Sequence, residues 1–265
     1  MKFNSKDFKE ITSILRVISN HASKKILEIY NSSFDIKKKF DNSPITEADL
    51  ESNKIICDAL KKKFPKIPII SEENKINFNN EKIFFLVDPL DGTKEFINRN
   101  GEFTVNIALI INSISHLGVI EIPVKNIQYF SDGENSFKVD NKSLKKIDSF
   151  VKREKINVVV SRSHLDKFTE NWLNNLKEEY SSLKVGSSIK FCMVAEGKAD
   201  LYFRFGNTME WDTAAGSAII KTSNASMFDF NLENLNYEKK KFKNSSFIVF
   251  NENVNKDLIR LIVKK

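Results

Sequence analysis

The sequence predicts an α+β first half followed by an α/β second half, together forming one domain. Three observations carry that expectation. Two stretches of helical periodicity open the chain, and a run of closely spaced β-rich segments follows them. From residue 156 onward, short apolar runs alternate with amphipathic ones.

Taken in order, Ser5 suits the N-cap of a first helix. Ile11, Ile14, Leu15, Ile18, Ala22, Ile26 and Ile29 keep three- and four-residue spacing, which leaves His21 on the polar face. Phe34 to Phe40 reads as an extended strand. Ser43-Pro44-Ile45 reads as a turn into a second helix through Ile55, Ile56, Ala59 and Leu60, which stops by Pro65. At its start, Thr46 and Asp49 have the spacing of a near capping box, an account that needs no catalysis. Ile67 to Ile70 is a short strand running into Ser71-Glu72-Glu73. Strands at Ile83 to Val87, Phe103 to Ile111, His116 to Ile122, Ile127 to Phe130 and Phe137 to Val139 have the spacing of an antiparallel meander. The polar stretch 140–155 marks the boundary, dividing the chain into halves 1–145 and 146–265. In the second half, strands at Ile156 to Val160, Leu183 to Val185, Leu201 to Phe205, Met227 to Phe230 and Phe247 to Phe250 are expected. Helices are expected at Asp166 to Tyr180, Ser188 to Glu196, Asp212 to Lys221 and Asp257 to Val263.

Composition narrows the class. An apolar content of 41% over 265 residues supports a substantial core. A net charge of +7 invites a nucleic-acid or anionic-membrane reading. The lysines are scattered, however, and the runs Lys37-Lys38-Lys39, Lys61-Lys62-Lys63 and Lys239-Lys240-Lys241 read as solvated faces. No nucleic-acid recognition signature accompanies them. Cys57 and Cys192 stand far apart in apolar contexts, as small buried hydrophobes of a reduced protein would. No apolar h-region follows Met1 to Lys6, and no apolar run approaches the roughly 18 residues of a membrane span. The expectation is a cytoplasmic protein without stable membrane insertion. Peripheral association with the cytoplasmic face of the inner membrane is the one membrane contact it allows, and monomer and homodimer both fit.

The stretch Phe85 to Phe96 concentrates the chemistry. Three apolar residues run straight into Asp88-Pro89-Leu90-Asp91-Gly92-Thr93, a turn with two carboxylates three positions apart. Hard divalent cations such as Mg²⁺ take oxygen ligands, usually one or two carboxylates with waters and phosphate oxygens. Pro89 fixes φ, and Gly92 admits close backbone approach. The plain alternative is a β-turn with its usual Asp, Pro and Gly. Two more acids stand at element ends: Glu72 after a strand, and Asp212 in Glu210-Trp211-Asp212-Thr213-Ala214-Ala215-Gly216. Small residues there let a helix pack closely, and Asp212 alone is accounted for as a helix-start acid.

As a set, Glu72-Glu73, Asp88-Pro89-Leu90-Asp91-Gly92-Thr93 and Trp211-Asp212-Thr213-Ala214-Ala215-Gly216 resemble the motifs of a phosphatase family. It is the Mg²⁺-dependent, lithium-sensitive family that includes inositol monophosphatase and fructose-1,6-bisphosphatase. Lys94-Glu95-Phe96, Ser161-Arg162-Ser163-His164 and the run Gly186-Ser187-Ser188-Ile189-Lys190-Phe191-Cys192 through Tyr202 are similar to its 3′(2′),5′-bisphosphate nucleotidase branch. Phe203 and Asn207 depart from that branch, where proline is usual, near the presumed nucleoside side of the site.

The resemblance implies a layered α-β-α-β-α sugar-phosphatase fold of two tightly packed halves. It implies a phosphomonoesterase that removes the 3′-phosphate of adenosine 3′,5′-bisphosphate in sulfur metabolism and nucleotide recycling. Glu72, Asp88 and the Leu90 carbonyl would hold one Mg²⁺, and Asp88, Asp91 and Asp212 a second. A third Mg²⁺ with substrate and inhibition by Li⁺ are further implications. Gly92 and Thr93 would receive phosphate oxygens, while Thr93 and Asp49, with Glu72, would orient and deprotonate water. Glu73 is left outside the ligand set. Lys190 and Arg204, with Leu90, Asp91, Gly92, Thr93 and Asp212, complete the substrate contacts, although surface roles would equally explain the two basic residues. The electrostatics agree: about four clustered carboxylates, with Asp49 a fifth, repel a phosphate dianion until cations invert the sign. His116 in a strand reads as structural, and His164 as either a pocket residue or a turn cap. The rival readings are inositol-1-phosphate or sugar-phosphate hydrolysis on the same scaffold, and a non-catalytic basic nucleic-acid-binding protein.

Overall fold

The computed structural model describes residues 3–39, 41–75, 79–141, 143–163, 165, 167–175, 180–206 and 208–264. Phe40, His164, Asp166 and Asn207, named above, and residues 176–179 of the helix expected from Asp166 to Tyr180 lie outside them.

The first helix, α1, spans Ser5–Tyr30 and is capped one residue earlier than expected. Asn4 Oδ1 accepts the Asp7 N–H at 3.1 Å and Asp7 Oδ2 accepts the Asn4 N–H at 2.9 Å, so Ser5 becomes the first helical residue. The stretch expected to be a turn is half of a hairpin: β1 (Ile36–Lys38) pairs antiparallel with β2 (Pro44–Thr46). Pro44 tolerates this because it is the first residue of its strand. Helix α2 follows at Glu47–Lys63, with three lysines in the last turn where the helix dipole favours them.

The first sheet contains β3 (Ile69–Ser71), β4 (Ile83–Asp91), β5 (Thr104–Ile111), β6 (Ile114–Ile122), β7 (Ile127–Ser131), β8 (Ser136–Asp140) and β9 (Ser143–Lys146), in that spatial order. A short helix, α3 (Thr93–Ile97), leaves β4 at the site end. Strands β4 to β8 form the expected meander, β9 extends it by one antiparallel strand, and β3 runs parallel to β4. Strand β9 falls in the stretch read as a polar boundary. All four of its residues are exposed, so no alternation announces it.

The second sheet has the order β11-β10-β12-β14-β13. Its strands are β10 (Ile156–Ser161), β11 (Tyr180–Val185), β12 (Leu201–Arg204), β13 (Ser226–Asp229) and β14 (Phe247–Phe250). Helices α4 (Lys167–Asn174), α5 (Ile189–Ala195), α6 (Glu210–Lys221) and α7 (Lys256–Val263) complete the chain. Helix α4 is shorter than expected, because Tyr180 opens β11 instead of closing the helix. The sheet is mixed: β10 is parallel to both neighbours, while β14 is antiparallel to β12 and β13.

Strand alternation explains the layering. Phe85 and Val87 point from β4 into the cluster built by α1 and α2, with Leu15, Ile26 and Ile56. Phe84 and Leu86 point the other way, into a cluster shared with Phe191 of α5, Ala215 and Ile219 of α6, and Tyr202 and Phe247 of the second sheet. Phe203 and Ile248 on that sheet's outer face meet Trp172 of α4 and Leu258 of α7. The result is α-β-α-β-α, with α5 and α6 buried between two sheets. Cys57 and Cys192 are buried free thiols.

The small residues of α6 do what their sizes suggest. A Cβ on Gly118 of β6 would lie 2.2 Å from the Ala215 carbonyl oxygen, inside any allowed contact. Gly118→Ala is therefore expected to destabilise the protein by about 2 kcal/mol or more, as overpacking does, read from the urea midpoint. An unchanged midpoint would mean that α6 is free to move off the sheet.

Candidate metal centre

The parallel pairing of β3 with β4 places Ser71 opposite Val87, and the Glu72 N–H donates to the Val87 carbonyl at 3.1 Å. Glu72 thus emerges beside Asp88. In a regular strand, Asp88 and Asp91 would face opposite sides, being three residues apart. Here Asp88 pairs with Asn106 and Asp91 with Thr104, so three steps on β4 match two on β5. The extra residue is a bulge, and it turns both carboxylates into one cavity. The turn is pinned from two sides: Asp88 Oδ1 accepts the Leu90 N–H at 3.1 Å, and Ser52 of α2 donates to the Pro89 carbonyl at 2.7 Å. Gly92 caps α3 at φ 93°, a left-handed conformation that a Cβ would strain.

Asp212 arrives from the second half as the third residue of α6, with its Oδ2 accepting the Met209 N–H at 2.8 Å. Among the described residues, carboxylate oxygens of Glu72, Asp88 and Asp212 all lie within 4.8 Å of one another. Asp91 lines the same cavity, which is about 500 Å³ and also takes in Gly92, Thr93, Lys190 and Arg204. That volume suits a small ligand. Burial, then Glu72, Asp91 and Asp212 in turn, push the Asp88 carboxyl well above the carboxylate range. Burial and then Asp91 do the same to Asp212. Asp91 is raised to about 6 by burial, held back by Lys190 and by the Ser188 N–H. Crowded oxygen donors whose negative charge is resisted by their neighbours are the donor set that suits a hard divalent cation.

Asp49 stands behind Thr93. Its Oδ2 accepts both the N–H and the hydroxyl of Thr46, at 2.8 and 2.7 Å, and its Oδ1 accepts the Thr93 hydroxyl at 3.0 Å. One carboxylate thus serves the helix start and the cavity wall together. It is 1% exposed, and burial raises its pKa.

The basic residues hold surprises for a reading from sequence. Lys190 is 4% exposed, which removes the surface alternative. Its ammonium donates to the Val185 and Ser187 carbonyls and lies 5.4 Å from the Tyr202 ring centroid. Burial pulls it down to about 8, against the attraction of Asp91. Arg204 is half-buried on the cavity wall. Phe203 does not face this site: between Tyr202 and Arg204 it points to the outer cluster, 4.8 Å from the Trp172 ring. Its departure from the usual proline therefore alters packing against α4.

Lys39 corrects the reading of its run as a solvated face. Lys37 and Lys38 are exposed, but Lys39 reaches Glu72 at 2.6 Å and Glu73 at 2.5 Å. Burial opposes the ammonium, yet the two carboxylates outweigh it and hold its pKa above the lysine range. Glu73 itself is pushed up to about 7, by burial first. No local pattern announces a contact spanning 33 residues. Asn106, Ser188 and the Glu95–Ser163 bond at 2.6 Å likewise join segments far apart in the chain. His116 is half-buried with its ring 5.7 Å from Phe8, a packing role, and burial lowers its pKa.

A sequence model of the inositol monophosphatase family matches residues 7–265. The chain is 41% identical over 238 residues to 3′(2′),5′-bisphosphate nucleotidase CysQ of Escherichia coli, covering 88% of this chain and 96% of that protein. It is 43% identical over 230 residues to the protein of the same name from Buchnera aphidicola subsp. Acyrthosiphon pisum, covering 84% and 86%. The crystal structure of CysQ from Bacteroides thetaiotaomicron, a bacterial member of the inositol monophosphatase family, superposes with a TM-score of 0.83 at 37% identity. That match covers 92% of this chain and 98% of the other. Fold, acidic centre and these likenesses agree, and the chain belongs to the inositol monophosphatase family.

Proposed function

We propose that this protein is a Mg²⁺-dependent phosphomonoesterase that removes the 3′-phosphate of adenosine 3′,5′-bisphosphate, giving AMP and phosphate. One observation carries the reading: the lining of one cavity combines the acids Glu72, Asp88, Asp91 and Asp212 with the basic Lys190 and Arg204. A substrate with two phosphates matches that division, one phosphate against cation-loaded carboxylates and the other against fixed cations. The similarity to bisphosphate nucleotidases at 41–43% identity over most of the chain supports the same substrate class. The nucleic-acid alternative has no such support.

In this reading Glu72, Asp88 and the Leu90 carbonyl would hold one Mg²⁺, and Asp88, Asp91 and Asp212 would hold another. Bound there, Mg²⁺ would supply positive charge to the phosphate oxygens and would acidify water. The chain contributes orientation and a proton path. Thr93 gives its hydroxyl proton to Asp49, which leaves the Thr93 oxygen free to accept one from the attacking water. Asp49, raised by burial and fixed by two bonds from Thr46, accepts without moving. Gly92 and Thr93 receive phosphate oxygens at the bend between β4 and α3. Among the described residues no helix is long and apolar enough to cross a membrane. A cytoplasmic location and inhibition by Li⁺ belong to the same proposal.

Purified protein with Mg²⁺ should release phosphate faster from adenosine 3′,5′-bisphosphate than from inositol 1-phosphate. The reverse preference would overturn the substrate assignment and leave the metal site standing. Asp91→Asn should lower turnover by at least about a hundredfold, more than loss of an outer partner costs, with the Tm shifted by only a few degrees. Wild-type turnover in that variant would remove Asp91 from the ligand set.

A pH dependence follows from the raised carboxyls. Raised in the folded chain, Asp88, Asp91 and Asp212 keep protons to higher pH than in the unfolded chain. Without Mg²⁺ they therefore cost stability as pH rises from the carboxylate range toward about 6, where Asp91 titrates. Mg²⁺ competes with those protons. The rise in Tm produced by Mg²⁺ should grow from about pH 5 to about pH 7.5, as linkage requires. Calorimetry with and without a chelator measures it, and a rise independent of pH would mean that other groups bind the ion.

A further inference from the structure

Asp91 Oδ2 is already engaged on the protein side. The Ser188 backbone N–H donates to it at 2.6 Å, and the Asn106 side-chain amide faces it at 3.5 Å. That amide is itself held, because Asn106 Oδ1 accepts the Ser188 hydroxyl at 2.7 Å. Ser188 Oγ also lies 2.7 Å from Thr104 Oγ1. The Ser188 proton is committed to Asn106, so Thr104 is the donor in the second contact. The amide presents Nδ2 to Asp91, whose carboxylate oxygen accepts, and Oδ1 to Ser188.

Thr104, Asn106 and Ser188 are 0%, 1% and 1% exposed. Water does not compete for these bonds, and a buried polar chain has a cost that three apolar side chains would avoid. Its members satisfy one another, and it ends on one carboxylate, Asp91. The two strand residues come from β5, directly opposite the β4 bulge, whereas Ser188 comes from the second half. The loop carrying Ser188 is seated on the first half by its own contacts. Glu102 accepts the Gly186 N–H at 2.7 Å and takes both arms of Arg162 at 2.6 and 2.7 Å. A Cβ on Gly186 would strike Glu95 Cγ at 2.6 Å, so the approach is as close as a chain allows.

We propose that Asn106 and Ser188 are positioning residues for Asp91, holding Oδ2 with N–H donors so that Oδ1 alone is presented to a divalent cation. The cation affinity of this side of the centre then depends on how the second half seats on the first. The inference rests on Asp91 being a ligand.

The test uses the full chain stripped of metal, with Mn²⁺ as the probe and free Mn²⁺ counted by electron paramagnetic resonance. Asn106→Ala should weaken the Asp91-dependent Mn²⁺ site about tenfold, the lower range for loss of an outer-shell partner. Ser188→Ala should weaken it less, because the backbone N–H remains. The Mg²⁺ concentration for half-maximal hydrolysis should rise in the same order. A lowered Tm with Mn²⁺ affinity unchanged in both variants would show a packing role and overturn the proposal. If Asn106→Ala fails to fold, Ser188→Ala decides by itself. Asp91→Asn separates the two levels. Full Mn²⁺ affinity in that variant refutes the ligand assignment and this inference together. Loss there with none in the other two variants refutes the positioning alone.

Discussion

Four carboxylates that repel one another share one cavity, and the surrounding architecture holds them there. Asp88 bears the worst of it: buried and flanked by Glu72, Asp91 and Asp212, it is raised far above an ordinary aspartate. Such a cluster is unfavourable unless positive charge enters, so the same repulsion that burdens the fold creates affinity for a cation. The protein supplies fixed cations at two margins. Lys39 crosses from the β1–β2 hairpin to Glu72 and Glu73, and the buried Lys190 stands near Asp91.

Holding these groups together requires that three separate segments keep their positions. The parallel β3–β4 pairing sets Glu72, the β4 bulge sets Asp88 and Asp91, and the first turn of α6 sets Asp212. Helix α6 is locked by contact with β6 at Gly118, where no side chain fits. At its start, buried Glu210 accepts the N–H groups of Glu238 and Lys239 at 2.7 and 2.8 Å, and the Lys239 ammonium at 2.7 Å. These groups tie the late loop to the helix that carries Asp212. Asn244 adds bonds to the Met209 carbonyl and the Thr213 hydroxyl, at 2.7 and 3.0 Å. The acidic centre, helix α6 and the late loop are thus tied together by hydrogen bonds.

Several residues that a local reading assigns to helix ends keep that role and add another. Asp49 accepts from Thr46 with one oxygen and from Thr93 with the other. Asp212 accepts the Met209 N–H while its carboxylate lies among the other acids. A cap and a functional group are not competing explanations here, because a carboxylate has two oxygens and about four lone pairs. A helix start also delivers its side chains in a fixed direction, which makes it a good mount for a ligand.

Periodicity and local chemistry were enough to read the two opening helices, the meander and the acidic motifs. Those features depend on spacing within one segment, and Asp88-Pro89-Leu90-Asp91-Gly92-Thr93 carries its chemistry in six consecutive residues. Strand β9 escaped because its exposed residues lack any alternation, and the β2 strand because Pro44 resembles a turn. The site's supporting partners escaped for a different reason. Lys39 meets Glu72 across 33 residues, Asn106 meets Ser188 across 82, and Arg162 meets Glu102 across 60. Such pairs are created by the register of strands and the seating of one half on the other. Only the folded chain decides which lysine of a run turns inward, which face of β12 Phe203 takes, and which oxygen of Asp91 the Ser188 N–H engages.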